Sequence, residues 1–166
     1  MQNNVRPIPD GYHSISPAIT CKNAAAAIDF YKKAFGAAEI NRMDGPGGMV
    51  MHAELRIGDS VIFVSDEFPG MSAAPAPGAT PSSYLFLYAD DADATFNRAV
   101  AAGATPTMPL ADMFWGDRYG RLTDPFGHSW GVATHVEDVA PDEMARRSAE
   151  WTAKMSNQSA AAAGAN

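Results

Sequence analysis

The chain has 166 residues, of which 46% are hydrophobic and 19% are charged, so it can bury a sizeable core in a single domain. Its formal net charge of −7 argues against nucleic acid or an anionic membrane as a partner, because both attract basic proteins. A lone cysteine, Cys21, excludes an intramolecular disulfide, and residues 1–10 lack the cationic and apolar segments of a secretory signal. These features predict a cytoplasmic protein.

The first half of the chain reads as one βαβββ unit that follows a leader at residues 1–13. The unit spans residues 14–64, and its helical segment places Ala27, Ile28 and Tyr31 on one face. The segment from Met49 onward alternates apolar and polar residues, which is typical of a half-buried strand. The predicted elements are a strand at 14–22, a helix at 24–35 and strands at 37–42, 49–57 and 61–64.

The second half follows a linker at residues 65–82, which is rich in proline, glycine and alanine and could act as a lid. Residues 83–136 again alternate strand and helix patterns, and the sequence DPFG predicts a tight turn between the last two strands. The predicted elements are a strand at 83–89, a helix at 92–102, a short extended piece at 104–108, and hairpin arms at 115–123 and 128–134.

The two halves carry the same pattern about 68 positions apart. Asn23 and Asp91 each stand where a helix N-cap is needed, and Gly36 and Gly103 each stand where a helix ends. A doubled unit sets the architecture before any single motif does. The sequence therefore predicts an α+β fold of two βαβββ repeats, forming a cup-shaped mixed sheet with the helices outside and a pocket between the halves.

The C-terminal segment predicts one more helix, at residues 137–158, followed by a disordered tail at residues 159–166. One face of this helix carries a stripe of large side chains at helical spacing. The stripe offers an apolar surface suited to a two-fold interface, so we expect a homodimer. Its members are Met144, Ser148, Trp151 and Met155.

Three stretches of the chain carry a recognisable pattern: IDFYKKAFG at 28–36, HAELRIGD at 52–59 and TDPFGHSW at 123–130. They resemble the vicinal oxygen chelate superfamily, which includes glyoxalase I, bleomycin-resistance proteins and extradiol dioxygenases. A further stretch, FWGDRYG at 114–120, resembles the narrower branch labelled PhnB-like or 3-demethylubiquinone methyltransferase-like. The resemblance implies paired βαβββ units and many homodimers, but not one chemistry, because this fold hosts many activities.

The resemblance also implies a divalent metal held in the cup by four equivalent positions. In this chain those positions fall on Ser16, Glu54, Tyr84 and Gly131, so only Glu54 keeps a typical ligand type. A catalytic metal needs about three protein ligands, so we expect no metal cofactor. A non-standard site built on His52 and Glu54 is the remaining route to a divalent metal.

Strand alternation places His52, Glu54 and Arg56 on one face, and the resemblance implies that this face lines the cup. An imidazole, a carboxylate and a guanidinium side by side could move a proton and orient an anion. Glu54 and His52 are therefore the candidate catalytic residues, and Arg56 is a candidate ligand contact. The alternative is a charge ladder in which Glu54 only neutralises its neighbours.

The second repeat supplies the other candidate ligand contacts. Its first strand places three aromatic side chains on the matching face, where they could stack on a planar ligand. Residues 113–121, later in the same repeat, are dense in groups that bind ligands, although Asp117 and Arg118 could equally form a structural ion pair. These candidates are Tyr84, Phe86, Tyr88, Trp115, Asp117, Arg118 and Arg121.

Two functions remain open at this stage. The first is a binding protein of the glyoxalase/bleomycin-resistance type that holds a small aromatic or anionic molecule in the cup without a metal. The second is a lyase or isomerase of the glyoxalase type, in which Glu54 or His52 acts as general base. No glycine-rich cofactor fingerprint accompanies the methyltransferase label, so a methyltransferase is not expected.

Overall fold

The computed structural model describes residues 5–163, with side chains described as far as residue 157. It contains two four-stranded mixed sheets, each with a helix packed on one face, and a third helix at the C-terminal end. The predicted α+β fold with two βαβββ repeats is confirmed. The elements are β1 Ala18–Cys21, α1 Ala24–Phe35, β2 Ala38–Asp44, β3 Val50–Ile57, β4 Ser60–Asp66, β5 Tyr84–Tyr88, α2 Ala92–Ala101, β6 Thr105–Asp112, β7 Asp117–Thr123, β8 Ser129–His135 and α3 Pro141–Ala163.

The two sheets have the same strand order. Sheet one runs β1-β4-β3-β2 and sheet two runs β5-β8-β7-β6, so the first strand of each repeat lies at a sheet edge. In each sheet the first strand pairs parallel with the last strand, and the remaining pairs are antiparallel. Parallel strands need a crossover connection, and in each repeat this connection runs through the helix and the second and third strands.

The caps predicted from the sequence start both main helices. The Asn23 side chain accepts a hydrogen bond from the Ala26 amide, and the Asp91 side chain accepts one from the Ala94 amide. Gly36 ends α1 with a φ of 68°, the left-handed conformation typical of a helix C-terminus. These local signals hold α1 and α2 in place over the inner faces of the sheets.

Both repeats share one core, and aromatic rings form the join. Tyr31 and Phe35 of α1 lie 5.4 Å and 4.4 Å, between ring centroids, from Trp130 of β8. The buried Asp124 accepts hydrogen bonds from the Tyr31 hydroxyl (2.8 Å) and the Trp130 indole (2.9 Å). Helix α1 of the first repeat therefore packs directly on the second repeat.

The edge strands β1 and β5 border a common cavity but do not pair with each other. His128, just before β8, has its Nε2 3.0 Å from the carbonyl oxygen of Thr20 in β1. Pro17, Ala18 and Tyr84 line one cavity of about 260 Å³ between the two edges. The helices cover the face of each sheet that packs into the shared core. The other face of each sheet is uncovered and lies on the side away from that core.

The largest boundary differences from the predictions lie at β1, β6 and α3. Strand β1 begins at Ala18 rather than residue 14, because Pro17 has no amide hydrogen to extend the ladder. Strand β6 is a full strand, Thr105–Asp112, although Pro106 and Pro109 weaken its sequence pattern; it lies at the sheet edge, where proline is tolerated. Helix α3 begins at Pro141 and reaches Ala163, and residues 164–166 of the expected tail lie outside the described residues.

Helix α3 attaches to the second repeat near its first turns. Arg147 donates to both Glu137 oxygens at 2.8 Å, and Trp151 lies 5.6 Å from the ring of Phe114. Trp151 and Met155 are each 44% exposed. Within residues 5–163, no helix has the length and the apolar content that crossing a membrane requires.

Candidate functional site

The open face of sheet two is a continuous aromatic surface. Tyr84, Phe86 and Tyr88 alternate along β5 and are 48%, 41% and 61% exposed. Phe86 stacks on Tyr119 of β7 with ring centroids 5.3 Å apart and planes only 6° from parallel. Exposed apolar groups that form a contiguous patch mark a binding surface more often than isolated ones do. We call Tyr84, Phe86, Tyr88 and Tyr119 the aromatic face.

Arg121 lies at one end of the aromatic face. Its guanidinium carbon is 4.3 Å from the ring centroid of Tyr84, a cation–π distance, and its Nη2 donates to the Ser129 hydroxyl at 3.2 Å. Its Nε is buried and has no hydrogen-bond partner among the described residues. A guanidinium that keeps unused donors beside an aromatic surface is suited to an acidic ligand group.

Asp117 lies at the other end and is almost fully buried. Its Oδ2 accepts from the Tyr88 hydroxyl (3.1 Å) and the Trp115 indole (3.0 Å), while its Oδ1 faces Nδ1 of His135 at 2.8 Å. Asp138 contacts the other nitrogen of His135 at 2.9 Å. The hydrogen bonds to Asp138 and Asp117 raise the pKa of His135. The network fixes Tyr88 and Trp115 in position at this end of the face.

Arg118 points away from the aromatic face. Its guanidinium binds both carboxylate oxygens of Asp93 on α2, with one contact at 2.7 Å, and reaches Asp112 at 3.1 Å. The expected ligand contact is therefore corrected to a structural ion pair, and the partner is Asp93 rather than the adjacent Asp117. Strand alternation explains the result, because neighbouring residues in β7 face opposite sides of the sheet.

The open face of sheet one is polar. His52 Nε2 lies 3.2 Å from Glu54 Oε1, and the Tyr12 hydroxyl from the leader donates to Glu54 Oε2. Arg56 donates to the carbonyl oxygen of Gly11 at 3.3 Å. The expected trio therefore shares one face, and the leader covers part of it. We call His52, Glu54, Arg56 and the neighbouring Phe63 the polar face.

The contacts of Glu54 set its acid–base behaviour. The hydrogen bond from Tyr12 is the largest cause that lowers the pKa of Glu54, followed by His52, against an opposing effect of burial. The same bond raises the pKa of Tyr12. A carboxylate with a lowered pKa and both oxygens engaged is a weaker base than a free one. The geometry therefore does not favour Glu54 as a general base while Tyr12 is in place.

Sheet register shows which positions of the two repeats are equivalent, and it corrects the expected metal set. Phe63 pairs with Ala18 and Glu54, and Gly131 pairs with Phe86 and Arg121. The counterpart of Gly131 is therefore Phe63, and the counterpart of Glu54 is Arg121. A consistent set combines Ser16 and Tyr84 either with Phe63 and Gly131 or with Glu54 and Arg121. Neither set supplies an imidazole or more than one carboxylate.

Gly131 also cannot be replaced by a ligand residue without moving its neighbours. A Cβ at this position would lie 2.8 Å from the Tyr119 ring and 3.3 Å from the Phe86 ring. The stacked rings cover β8 where the fold family would place a metal ligand. Among residues 5–163, no three His, Cys, Asp or Glu side chains come together as a metal-binding group. The residues present do not fit a metal centre of the superfamily type.

The fold and the two faces define a class of protein: a paired βαβββ protein with an aromatic and a polar face beside each other. The model of the Glyoxalase/Bleomycin resistance protein/Dioxygenase superfamily matches residues 13–132. The chain belongs to this superfamily.

Individual relatives agree with this placement. An uncharacterized protein of Mycobacterium bovis is 44% identical over 136 residues, which cover 79% of this chain and 89% of the relative. The crystal structure of TioX from a Micromonospora species superposes with a TM-score of 0.61 at 26% identity, covering 75% of this chain and 99% of TioX. The PhnB protein of Bacillus cereus shares the fold, with a TM-score of 0.59 at 20% identity over 74% of this chain and 99% of that protein.

Sequence reasoning missed two contributors to the site. Tyr12 lies in the leader, where no periodic pattern assigned it to a face. His135 follows from the pairing of Asp117 with His135 across β7 and β8, which only the register reveals. The Asp-Pro-Phe-Gly turn did signal a fixed geometry at Asp124, but not its contact with Tyr31, 93 positions away.

Proposed function

We propose that this protein binds a small planar molecule that carries an acidic group, in the cup formed by the aromatic and polar faces and without a metal. The observation that carries the proposal is the row of half-exposed rings on β5 with Arg121 beside them. Stacking on Tyr84 and Phe86 would hold the plane of the ligand, and Arg121 would hold its acidic group. This is binding chemistry and needs no reacting group.

The lyase or isomerase alternative depends on a general base at Glu54 or His52. The lowered pKa of Glu54 and its contact with Tyr12 favour a binding role over a proton-transfer role for this carboxylate. His52 contacts Glu54 and the Phe63 ring. Beyond these two contacts, nothing among the described residues marks His52 as a general base. We therefore give binding the first place.

The test of this proposal uses 2-naphthoate as probe and 2-naphthamide as its neutral match. We expect Arg121→Met to weaken 2-naphthoate binding roughly 10- to 100-fold, because a charge-assisted hydrogen bond contributes about 1.5–3 kcal/mol. Binding of 2-naphthamide should change little. Isothermal titration calorimetry gives both dissociation constants.

Arg118→Met is the matched control, since it removes a guanidinium from the opposite face of the same strand. Its affinity for 2-naphthoate should equal that of the wild-type protein. Equal losses in Arg118→Met and Arg121→Met, or equal affinities for acid and amide, would contradict the role of Arg121.

We also propose that the protein is a homodimer that uses the stripe on α3. Trp151 and Met155 are exposed on the single chain, and large exposed apolar side chains on one helix face suit a two-fold contact. Trp151→Glu should reduce the mass in analytical ultracentrifugation from twice 17.6 kDa to 17.6 kDa. Thr152→Glu, one position along the same exposed turn, should leave the dimer intact. An unchanged mass for Trp151→Glu would remove the stripe from the interface.

A further inference from the structure

The leader is fixed on the polar face by contacts that aim one side chain at Glu54. The Tyr12 amide bonds to the carbonyl oxygen of Pro9 at 3.2 Å, which closes a turn. Gly11 has a φ of +80°, the conformation that the third position of a type II turn requires. A Cβ on Gly11 would lie 3.1 Å from Arg56 Nη2, so glycine also allows the leader to approach the sheet. The turn delivers Tyr12 to the cup.

Tyr12 occupies the polar face in the way a ligand would. Its hydroxyl donates to the Glu54 carboxylate, and its ring lies 6.4 Å from the Phe63 ring, tilted by 44°. Phe63 also contacts the His52 ring at 5.1 Å. The slot thus offers a charged acceptor beside an aromatic wall, and a phenol fills it. A hydrogen-bond acceptor beside an aromatic ring is a typical binding environment for an aromatic alcohol in a protein.

Open space surrounds the phenol. A wide-open cavity of about 550 Å³ lies between the leader and the sheet, with Glu54 and Phe63 on the sheet side and Pro7, Ile8 and Ser16 from the segment before β1. Cavities that bind small molecules measure roughly 300–1,000 Å³. The Tyr12 side chain is only half-buried. A small ring can therefore reach Glu54 if the Tyr12 hydroxyl gives way.

We propose that Glu54 and Phe63 form a subsite for the hydroxyl group of a phenolic ligand, and that Tyr12 is its resident occupant, which the ligand displaces. The inference rests on the proposed binding cup and names the chemistry of its second end. The acidic group of such a ligand would meet the cationic donor Arg121 on one face. Its phenolic hydroxyl would meet the acceptor Glu54 on the other face. Competition with Tyr12 lowers the apparent affinity for the ligand. The apparent dissociation constant is the intrinsic one divided by the fraction of molecules in which Tyr12 has left the slot.

Tyr12→Phe tests this competition because it removes only the hydroxyl. The probe is p-cresol, and its match is 4-methylanisole, which has the same ring but no hydrogen to donate. We expect p-cresol to bind roughly tenfold tighter to Tyr12→Phe than to the wild-type protein. The competing side chain then no longer forms its hydrogen bond to the charged Glu54. 4-Methylanisole should bind Tyr12→Phe roughly tenfold more weakly than p-cresol does, because it has no hydrogen to donate to Glu54. Titrations followed by amide chemical shifts at Glu54 and Phe63 give the constants.

Two further variants complete the test. Tyr12→Ala should tighten p-cresol binding at least as much, and Tyr12→Phe/Glu54→Gln should lose the gain. Equal affinity of p-cresol for wild type and Tyr12→Phe, or equal affinities of p-cresol and 4-methylanisole for Tyr12→Phe, overturns the inference. Titration of 2-naphthoate into the same variants separates the two proposals. If 2-naphthoate still binds through Arg121 while p-cresol binds the wild-type protein and Tyr12→Phe equally, only the phenol subsite is wrong. If 2-naphthoate does not bind, the proposed function is wrong instead.

Discussion

Asp124→Ala is expected to lower the free energy of unfolding by about 3–5 kcal/mol, because several buried donors lose a charged acceptor at once. Asp124 is 4% exposed. Its Oδ2 accepts from Tyr31 and Trp130, and its Oδ1 accepts from the amides of Phe126 and His128 at 2.9 Å. One carboxylate thus closes the β7–β8 turn and joins it to α1. Urea unfolding followed by circular dichroism measures the loss.

Two milder variants calibrate this result. Tyr31→Phe removes one of the two side-chain donors and should cost about 1 kcal/mol. Asp124→Asn keeps an acceptor oxygen but no charge, so its cost should fall between the two. An Asp124→Ala protein within 1 kcal/mol of Tyr31→Phe would show that the Trp130 and amide contacts together contribute little, which would contradict the account given for this turn.

Trp130→Ala should have a comparable effect, about 3–5 kcal/mol, for a different reason. Trp130 is 2% exposed and fills the space between β8 and α1, with its ring against Tyr31 and Phe35. Truncation leaves a cavity at the join between the repeats, and the surrounding rings cannot close it fully. The transition should also become less cooperative, because the two repeats then share less core.

Trp115→Ala is the matched control for Trp130→Ala. Trp115 is half-buried on the aromatic side and touches Tyr119 and Asp117, so its loss should cost only about 1–2 kcal/mol. Thermal unfolding of both variants at several probes gives stability and cooperativity together. A Trp130→Ala protein as stable as Trp115→Ala would place the join between the repeats elsewhere.

The fold was predictable because local signals and the repeat agreed. Asn23 and Asp91 marked helix starts, Gly36 marked a helix end, and alternation in β3 separated the buried Ala53 and Leu55 from their neighbours. Such signals act over a few residues and are written directly in the chain. Boundaries were less certain where proline and pairing compete, as at the start of β1 and along β6.

The site was only partly predictable, because its contacts depend on register and on a segment without periodicity. Alternation grouped His52 with Glu54 correctly on one face, but the alignment of Glu54 with Gly131 mixed two positions that register separates. Arg118 was predicted as a ligand contact from the composition of the surrounding segment. The side of the sheet that its side chain faces depends instead on which residue of β7 starts the alternation. Tyr12 reaches Glu54 through a turn in the leader, and no pattern in the sequence connects them.

The register equivalence of the two repeats has a consequence for how a bound molecule is oriented. Equivalent positions on the inner faces are alike, as Leu55 with Leu122 and Val64 with Val132, all of them buried. On the open faces, one equivalent pair has opposite charges, Glu54 and Arg121. A cup with matching halves would accept an elongated molecule in two poses related by a half-turn. In the proposed binding mode, one pose would set the acidic group of the ligand against Glu54. Only the other pose would be favourable, which would give the cup a defined polarity.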